Sequence, residues 1–303
     1  MNIDQVYDEL YGVIDKNKAA DAAIQGKVAA LEGTVTTQGE TITALQTAIP
    51  EVPGKQLKLV DLGTEYTKEL KEDIYSGTFE KAVVGGYLTL NDHVYIFAHA
   101  DYWLHKGDTE CTDHHMLIVP ADSLGQGAMN LSSTTTGGYV NSDMRAGHDD
   151  TTDPENPVHV DGALQSVIDI IKNDFGADNL LSHKLFLTNA VTNGAASSRT
   201  WVESEVDLMS EVMVFGNHAW GAAPGQEEGC DTTQIRLFAE RPDLINIRQK
   251  SYWLRDVSSA AIFANVASYG HADRNNAGNS LHIRPVFAIK GAPPETRTKK
   301  RKG

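Results

Sequence analysis

The 303-residue chain holds only two cysteines, Cys111 and Cys230, far apart and in no CxxC pair. That spacing excludes a zinc knuckle and a dithiol redox motif, and leaves either two free thiols or one long-range pair. No 18 consecutive apolar residues occur, so no membrane insertion is expected. The opening MNIDQVYDELYG lacks the apolar core of a secretory signal. Basic charge is also scarce: 26 Lys and Arg stand against 41 Asp and Glu, a formal net charge of −15. A chain this acidic is not built to bind nucleic-acid phosphates. Its one basic cluster runs from Arg297 to Lys302, in a span (291–303) that reads as a flexible solubilising tail.

The patterns that carry catalysis are lacking as well. There is no GxSxG elbow, no P-loop and no HExxH. Gly125-Gln126-Gly127 lacks the third glycine of a dinucleotide loop, and the acidic run DDTTDPENP (149–157) lacks the glycine and closing glutamate of a calcium loop. The densest polar cluster is His105, Asp108, Glu110, Asp113, His114 and His115. Adjacent histidines on a strand point to opposite faces, so the cluster reads as structural and not as a metal site. No enzyme, metal or cofactor is expected.

What is present begins with a seam. Ile3, Val6, Leu10, Val13, Asn17, Ala20, Ile24, Val28, Leu31, Val35, Gln38, Ile42, Leu45 and Ile49 follow one another at alternating steps of three and four. This is a coiled-coil heptad with a stutter at Ala20–Ile24–Val28. β-Branched residues dominate the core positions, which favours three strands, and the polar Asn17 and Gln38 would hold the register. The opposite face offers nothing that would pack on a globular body. Residues 1–49 therefore read as a homotrimeric stalk. The prolines of IPEVPG make 50–56 a hinge.

Residues 57–290 read as one α+β body with long loops. A strand is expected at 58–62 and a helix at 67–81, capped by Thr64 or Thr67. The alternation over 83–104 suggests a hairpin turning at Asn91-Asp92. Helices are expected at 162–175, on Leu164, Val167, Ile168, Ile171 and Phe175, and at 204–215. Loops rich in Gly, Thr, Asn and Asp fill 121–161 and 217–233.

One window stands apart: VSSAAIFANVASYGHADRNNAGNSLHIRPVFAI (257–289) contains no Lys, Glu, Gln, Met or Trp. The Asn, Asp, His, Tyr, Ser, Ala, Arg, Leu and Gly it does contain are all reachable from an Asn codon by changing its two adenines. Tyr, Ser, Asn and Gly also compose adaptable binding surfaces, rigid aromatic area beside small hydrogen-bonding groups. On residues alone, a pair of strands joined by polar turns explains the window equally well.

The frame YWLRDV (252–257), FANV (263–266) and IRPVFAI (283–289) resembles the C-terminal signature of C-type-lectin-fold domains in phage fibre and tip proteins. That family includes the variable proteins of diversity-generating retroelements, among them phage tropism determinants. GDTECTDHHMLIVP (107–120), MNLSSTTTGGYVNSDMR (129–145) and LTNAVTNG (187–194) are similar to phage-encoded proteins. The resemblance covers about residues 80–290. It implies a scaffold of Trp253, Leu254, Phe263, Val266, Arg284, Pro285 and Phe287. It implies an outward, variable receptor-binding face of Ser258, Asn265, Ala267, Ser268, Tyr269, His271, Asp273, Arg274, Asn275, Asn276, Asn279, Ser280 and His282. The motifs of calcium-dependent sugar binding, EPN, QPD and WND, are absent.

Carried over, the resemblance implies a virion fibre subunit, made in the host cytoplasm and released by lysis. Its partners would be two further copies of itself, head or tail proteins of the virion, and a bacterial surface protein or glycan. The alternative is a purely structural virion decoration. An oxidase of the formylglycine-generating kind, on the same scaffold, would need paired cysteines or a metal that the sequence does not offer.

Overall fold

The computed structural model describes residues 57–221 and 231–294, together with positions 13, 16–18, 22, 24–31, 33 and 35. The chain divides into two units, Met1–Lys55 and Gln56–Gly303. The described residues of the first are helical and exposed. The expected hinge and the far end of the stalk lie outside the described residues.

The second unit is α+β, with far more sheet than helix. Its elements run β1 (Val60–Asp61), α1 (Lys68–Tyr75), β2 (Gly86–Leu90), β3 (His93–Ala100), β4 (His115–Pro120), β5 (Gly125–Ala128) and α2 (Asp143–Ala146). Next come β6 (His148–Asp150), β7 (Val158–Val160), α3 (Ala163–Phe175), β8 (His183–Thr192), β9 (Ala195–Ser204), β10 (Val206–Leu208), α4 (Glu211–Phe215) and α5 (Arg236–Glu240). The last are β11 (Tyr252–Ser259), β12 (Ile262–Val266), β13 (Ala272–Asn276), β14 (Ser280–Ile283) and β15 (Pro285–Lys290). Two sheets carry the core, ordered β1-β2-β3-β4-β15-β10 and β13-β12-β11-β14-β5. β6–β7 and β8–β9 form two further two-stranded sheets, and β8 adds Leu185 and Leu187 to the core. Among the described residues no helix is long and apolar enough to cross a membrane.

Strand β4 is buried at every position and β15 at all but its last, so the centre of the larger sheet is covered on both faces. Helix α3 lays Leu164, Val167, Ile171 and Phe175 into the core. The Phe175 ring meets Tyr95 of β3 edge-on at 4.9 Å and Phe287 of β15 at 5.3 Å. Such aromatic contacts each add roughly 0.5–1.5 kcal/mol beyond burial. Turn Asn91-Asp92 joins β2 to β3 with both residues at positive φ, 46° and 67°, the twist a two-residue hairpin turn requires.

Three expected boundaries shift. The helix after Thr67 is capped there, its hydroxyl taking the Leu70 N–H, but it stops at Tyr75 and not at 81. Asp73 causes this: its carboxylate accepts the Thr78 hydroxyl and the N–H groups of Glu80, Lys81 and Ala82, winding that stretch into a turn. The expected helix over 204–215 forms only in its last part. Val206 and Leu208 pair with Phe287 and Pro285, and only Glu211–Phe215 is helical, started by the Ser210 hydroxyl on the Met213 N–H. Lastly, the chain is still packed at the start of the span expected to be free. The Ala292 N–H donates to Lys71 O, and Gly291 lies so close to α1 that a Cβ would stand 2.1 Å from Tyr75 N.

One residue carries the chain between the sheets. Ile283 ends β14 in one, Pro285 starts β15 in the other, and Arg284 between them is buried at 1% exposure. Its Nε donates to Pro120 O at 2.8 Å, and its Nη1 to Leu244 O and Ile245 O at 2.9 and 3.2 Å. No carboxylate pairs with it among the described residues. The guanidinium instead ties two segments, at Pro120 and at Leu244-Ile245, to the crossover through three carbonyls.

Candidate functional site

The scaffold residues Trp253, Leu254, Phe263, Val266, Arg284, Pro285 and Phe287 are all buried. The Trp253 indole N–H donates to Gly127 O at 2.9 Å and so fastens β11 to β5 across β14.

The thirteen residues implied to face outward do not form one face. Tyr269 is the most open, at 78% exposure, and His271, Arg274, Asn279 and Ser280 are also exposed. Ser258, Ser268, Asp273, Asn275, Asn276 and His282 are half-buried. Asn265 and Ala267, in contrast, are buried at 1% and 6%. Asn265 lies directly across from Trp253, and opposed residues share a face, so its side chain goes inward with the indole. Ala267 is covered where it opens the turn closed by its own N–H on His271 O.

The remaining residues fall into groups. Ser268, Tyr269 and His271 occupy the turn between β12 and β13. Asp273 to Asn276 lie on β13, the edge of its sheet. Asn275 Oδ1 accepts from the Asn276 N–H and from Asn279 Nδ2, and Asn276 Oδ1 takes the Gly278 N–H, so the asparagines build the next turn. His282 stands elsewhere. It is on β14, beyond β12 and β11, which at about 4.8 Å per strand puts it roughly 14 Å from β13. There its Nδ1 shares a hydrogen bond with Ser123 Oγ.

Arg274 is not alone on the edge strand. Its guanidinium carbon sits 4.3 Å above the ring of Trp220, within the loop expected over 217–233. Trp220 is 39% exposed and belongs to the turn Gly216–Gly221 that follows α4. A buried carboxylate holds this turn. Glu211 accepts the N–H groups of Ala219, Trp220 and Gly221, the last at 2.6 Å. Gly216, at φ +78°, ends α4 in the left-handed conformation and lets the chain fold back onto its own first residue.

Below that turn, β11 bulges. Trp253 pairs with Asn265 and Val257 with Phe263, four residues' advance against two, so two extra residues are fitted on β11. Bulges re-aim side chains, and here Arg255 and Asp256 occupy one. Arg255 is paired with Asp231 and donates to Leu208 O. Asp256 Oδ2 accepts the Glu211 N–H at 2.7 Å and caps α4. Burial, and then the neighbouring Glu211 charge, push the Asp256 carboxyl up to about 7. His218 Nδ1 stands 3.8 Å from Glu211 Oε2 and 3.8 Å from Asp256 Oδ1. Sequence reasoning missed this cluster because its members are scattered; the available signal was GNHAWG, a histidine and a tryptophan between two glycines.

The earlier histidine cluster is dispersed. His105 pairs with Glu110 at the surface and His114 with Asp101. His115 is buried, donating from Nδ1 to Asp113 O and accepting the Trp103 N–H at Nε2. Cys111 is a half-buried free thiol, and Cys230 lies outside the described residues.

No protein-family profile, curated protein or solved structure matches the chain.

Proposed function

We propose that the chain is a phage fibre subunit that binds the bacterial surface through the β13 edge of a C-type-lectin-like body. The observation that carries this reading is the contrast across a few residues. Trp253, Phe263 and Phe287 are fully buried, whereas Tyr269 beside them in sequence is 78% exposed among His271 and Arg274. A large aromatic side chain left in water on a rigid frame is what adhesion uses. The contact face comprises the Ser268–His271 turn, Arg274 on its Trp220 platform, and the turn built by Asn275, Asn276 and Asn279. Asn265 and Ala267 belong to the frame and not to the face.

The stalk reading is supported by Val13, Ile24, Val28, Leu31 and Val35, which are helical seam residues with 47–65% of their surface uncovered in the single chain. Partner copies would cover them. Three weak sites on one fibre then bind a dense receptor with an affinity that one site alone lacks.

The test is attachment of labelled full-length protein to a panel of bacterial strains. Some strains should bind it, and Tyr269→Ala and Arg274→Ala should each cut binding at least about tenfold, as for a hot-spot residue. Their circular dichroism should not change. A panel with no bound strain, or unchanged binding by both variants, refutes the reading.

A further inference from the structure

The Glu211, Asp256 and His218 cluster does something the adhesive reading does not use. Both carboxylates are buried, at 0% and 2% exposure, and they lie side by side at the β11 bulge. Buried carboxylates are paired with cations or coordinate metals. The nearest arginine, Arg255, is taken by Asp231. Among the described residues the basic side chain within ion-pair distance of both is His218, at 3.8 Å from each. That spacing is too long for a hydrogen bond. It is close to what a shared ion imposes: ligand atoms about 2.0–2.1 Å from a tetrahedral zinc lie roughly 3.3 Å apart. The candidate ligand atoms of all three residues lie within 4.8 Å of one another.

We infer that Glu211, Asp256 and His218 form a site for one divalent cation of the zinc class, which locks the Gly216–Gly221 turn onto the β11 bulge.

Each ligand is held as a metal site requires. The Glu211 carboxylate is oriented by the N–H groups of Ala219, Trp220 and Gly221. Asp256 is oriented through Oδ2 by the Glu211 N–H, while its Oδ1 accepts no hydrogen bond from a described residue and faces His218. These are the outer contacts that fix a ligand's direction. His218, with 24% of its side chain exposed, is the way in from solvent. Two carboxylates also balance a divalent charge, and the imidazole favours zinc over calcium or magnesium. Gly221 leaves the space: a Cβ there would lie 2.9 Å from both Glu211 Oε2 and the Asp256 Cβ, and 3.1 Å from His218 Nδ1. Occupation of the site would hold Trp220 in place beneath Arg274, whatever the exposed face binds.

The experiment is zinc titration of the chelator-treated full-length protein, by calorimetry and by metal analysis after dialysis, with thermal unfolding in parallel. One zinc per chain and a raised unfolding temperature are expected, with calcium and magnesium inert. His218→Ala should weaken zinc binding by more than the roughly 10–100-fold typical of losing an outer-shell partner, and should abolish the thermal shift. His218 is partly exposed, so this variant tests the site even where Asp256→Asn fails to fold. Zinc retained by His218→Ala would place the ion at a surface pair such as His105–Glu110, and would overturn the inference. So would the absence of zinc binding, or an equal thermal shift from calcium.

Discussion

His183 should make this fold acid-sensitive by a calculable amount. It opens β8 at 6% exposure, with its ring stacked 3.6 Å from that of Trp103 and tilted by 19°. Among the described residues its Nε2 has no hydrogen-bond partner, and its Nδ1 reaches Leu181 O only at 3.5 Å. Burial holds its pKa down to about 3, against the small opposing pull of the Leu181 carbonyl. A histidine in the unfolded chain titrates near 6.5. Between those values the unfolded state carries a proton that the folded state refuses. The stability is therefore complete above the unfolded value and falls as pH drops towards the folded one, by about 1.4 kcal/mol per pH unit. At about pH 5 the loss from this one ring is roughly 2 kcal/mol. His183→Phe keeps an aromatic ring over Trp103 and removes the proton site. Urea unfolding of both proteins near pH 7.5 and near pH 5 isolates the effect. His115 and His99, whose pKa values burial also lowers, remain in each and cancel. The natural chain should lose about 2 kcal/mol more than the variant over that interval. Equal losses would mean that His183 accepts its proton without unfolding, and the reasoning fails.

Arg284→Met keeps the buried stem but strips the donors from Pro120 O, Leu244 O and Ile245 O. At about 1–3 kcal/mol for each buried group left unpaired, a loss of at least 3 kcal/mol is expected in urea unfolding. Gly221→Ala forces a methyl group to 2.9 Å from Glu211 Oε2 and should cost roughly 1–3 kcal/mol by overpacking. A thermal midpoint equal to that of the natural chain would show that the turn yields freely. Val28→Asp places a charge on a stalk position that is 47% exposed in the single chain. Light scattering should then report a mass about one third of the natural assembly, and an unchanged mass removes the coiled coil.

The parts of the fold that could be read in advance are those where local chemistry and tertiary packing agree. Helix α3 is an example, because its apolar stripe, its Gly162 start and its Gly176 stop all point to one element. The Asn91-Asp92 hairpin is another, since the turn demands positive φ and those residues tolerate it. The misreadings have a common cause in interactions made at a distance along the chain. Asp73 ends α1 by collecting N–H groups from seven to nine residues later. Val206 and Leu208 look helical beside Glu211, yet pairing with β15 takes them into the sheet. Asn265 looks like a surface residue, and only the register against Trp253 shows that it points inward. The Glu211, His218 and Asp256 cluster depends on a bulge, a register irregularity that leaves no mark in residue type.

The same register explains why this region could vary without endangering the fold. Strand β13 is an edge, and its half-exposed Asp273, Asn275 and Asn276 contribute no large apolar side chain to the core. Polar residues on an edge also discourage pairing with other chains. The turn after it seats Ala277 in the core, but Asn279 and Ser280 are exposed, so either could change at the cost of about one local hydrogen bond. Arg274 is the exception, because its guanidinium covers Trp220. Losing it would uncover the indole and alter the shape and polarity of the surface together. The platform itself does not depend on that arginine. Trp220 is held from beneath by the Glu211 carboxylate on three backbone N–H groups, which no substitution on β13 removes. On the proposed reading, a strand free to vary, laid over a turn fixed through its own backbone, would keep one aromatic contact constant while its neighbours changed.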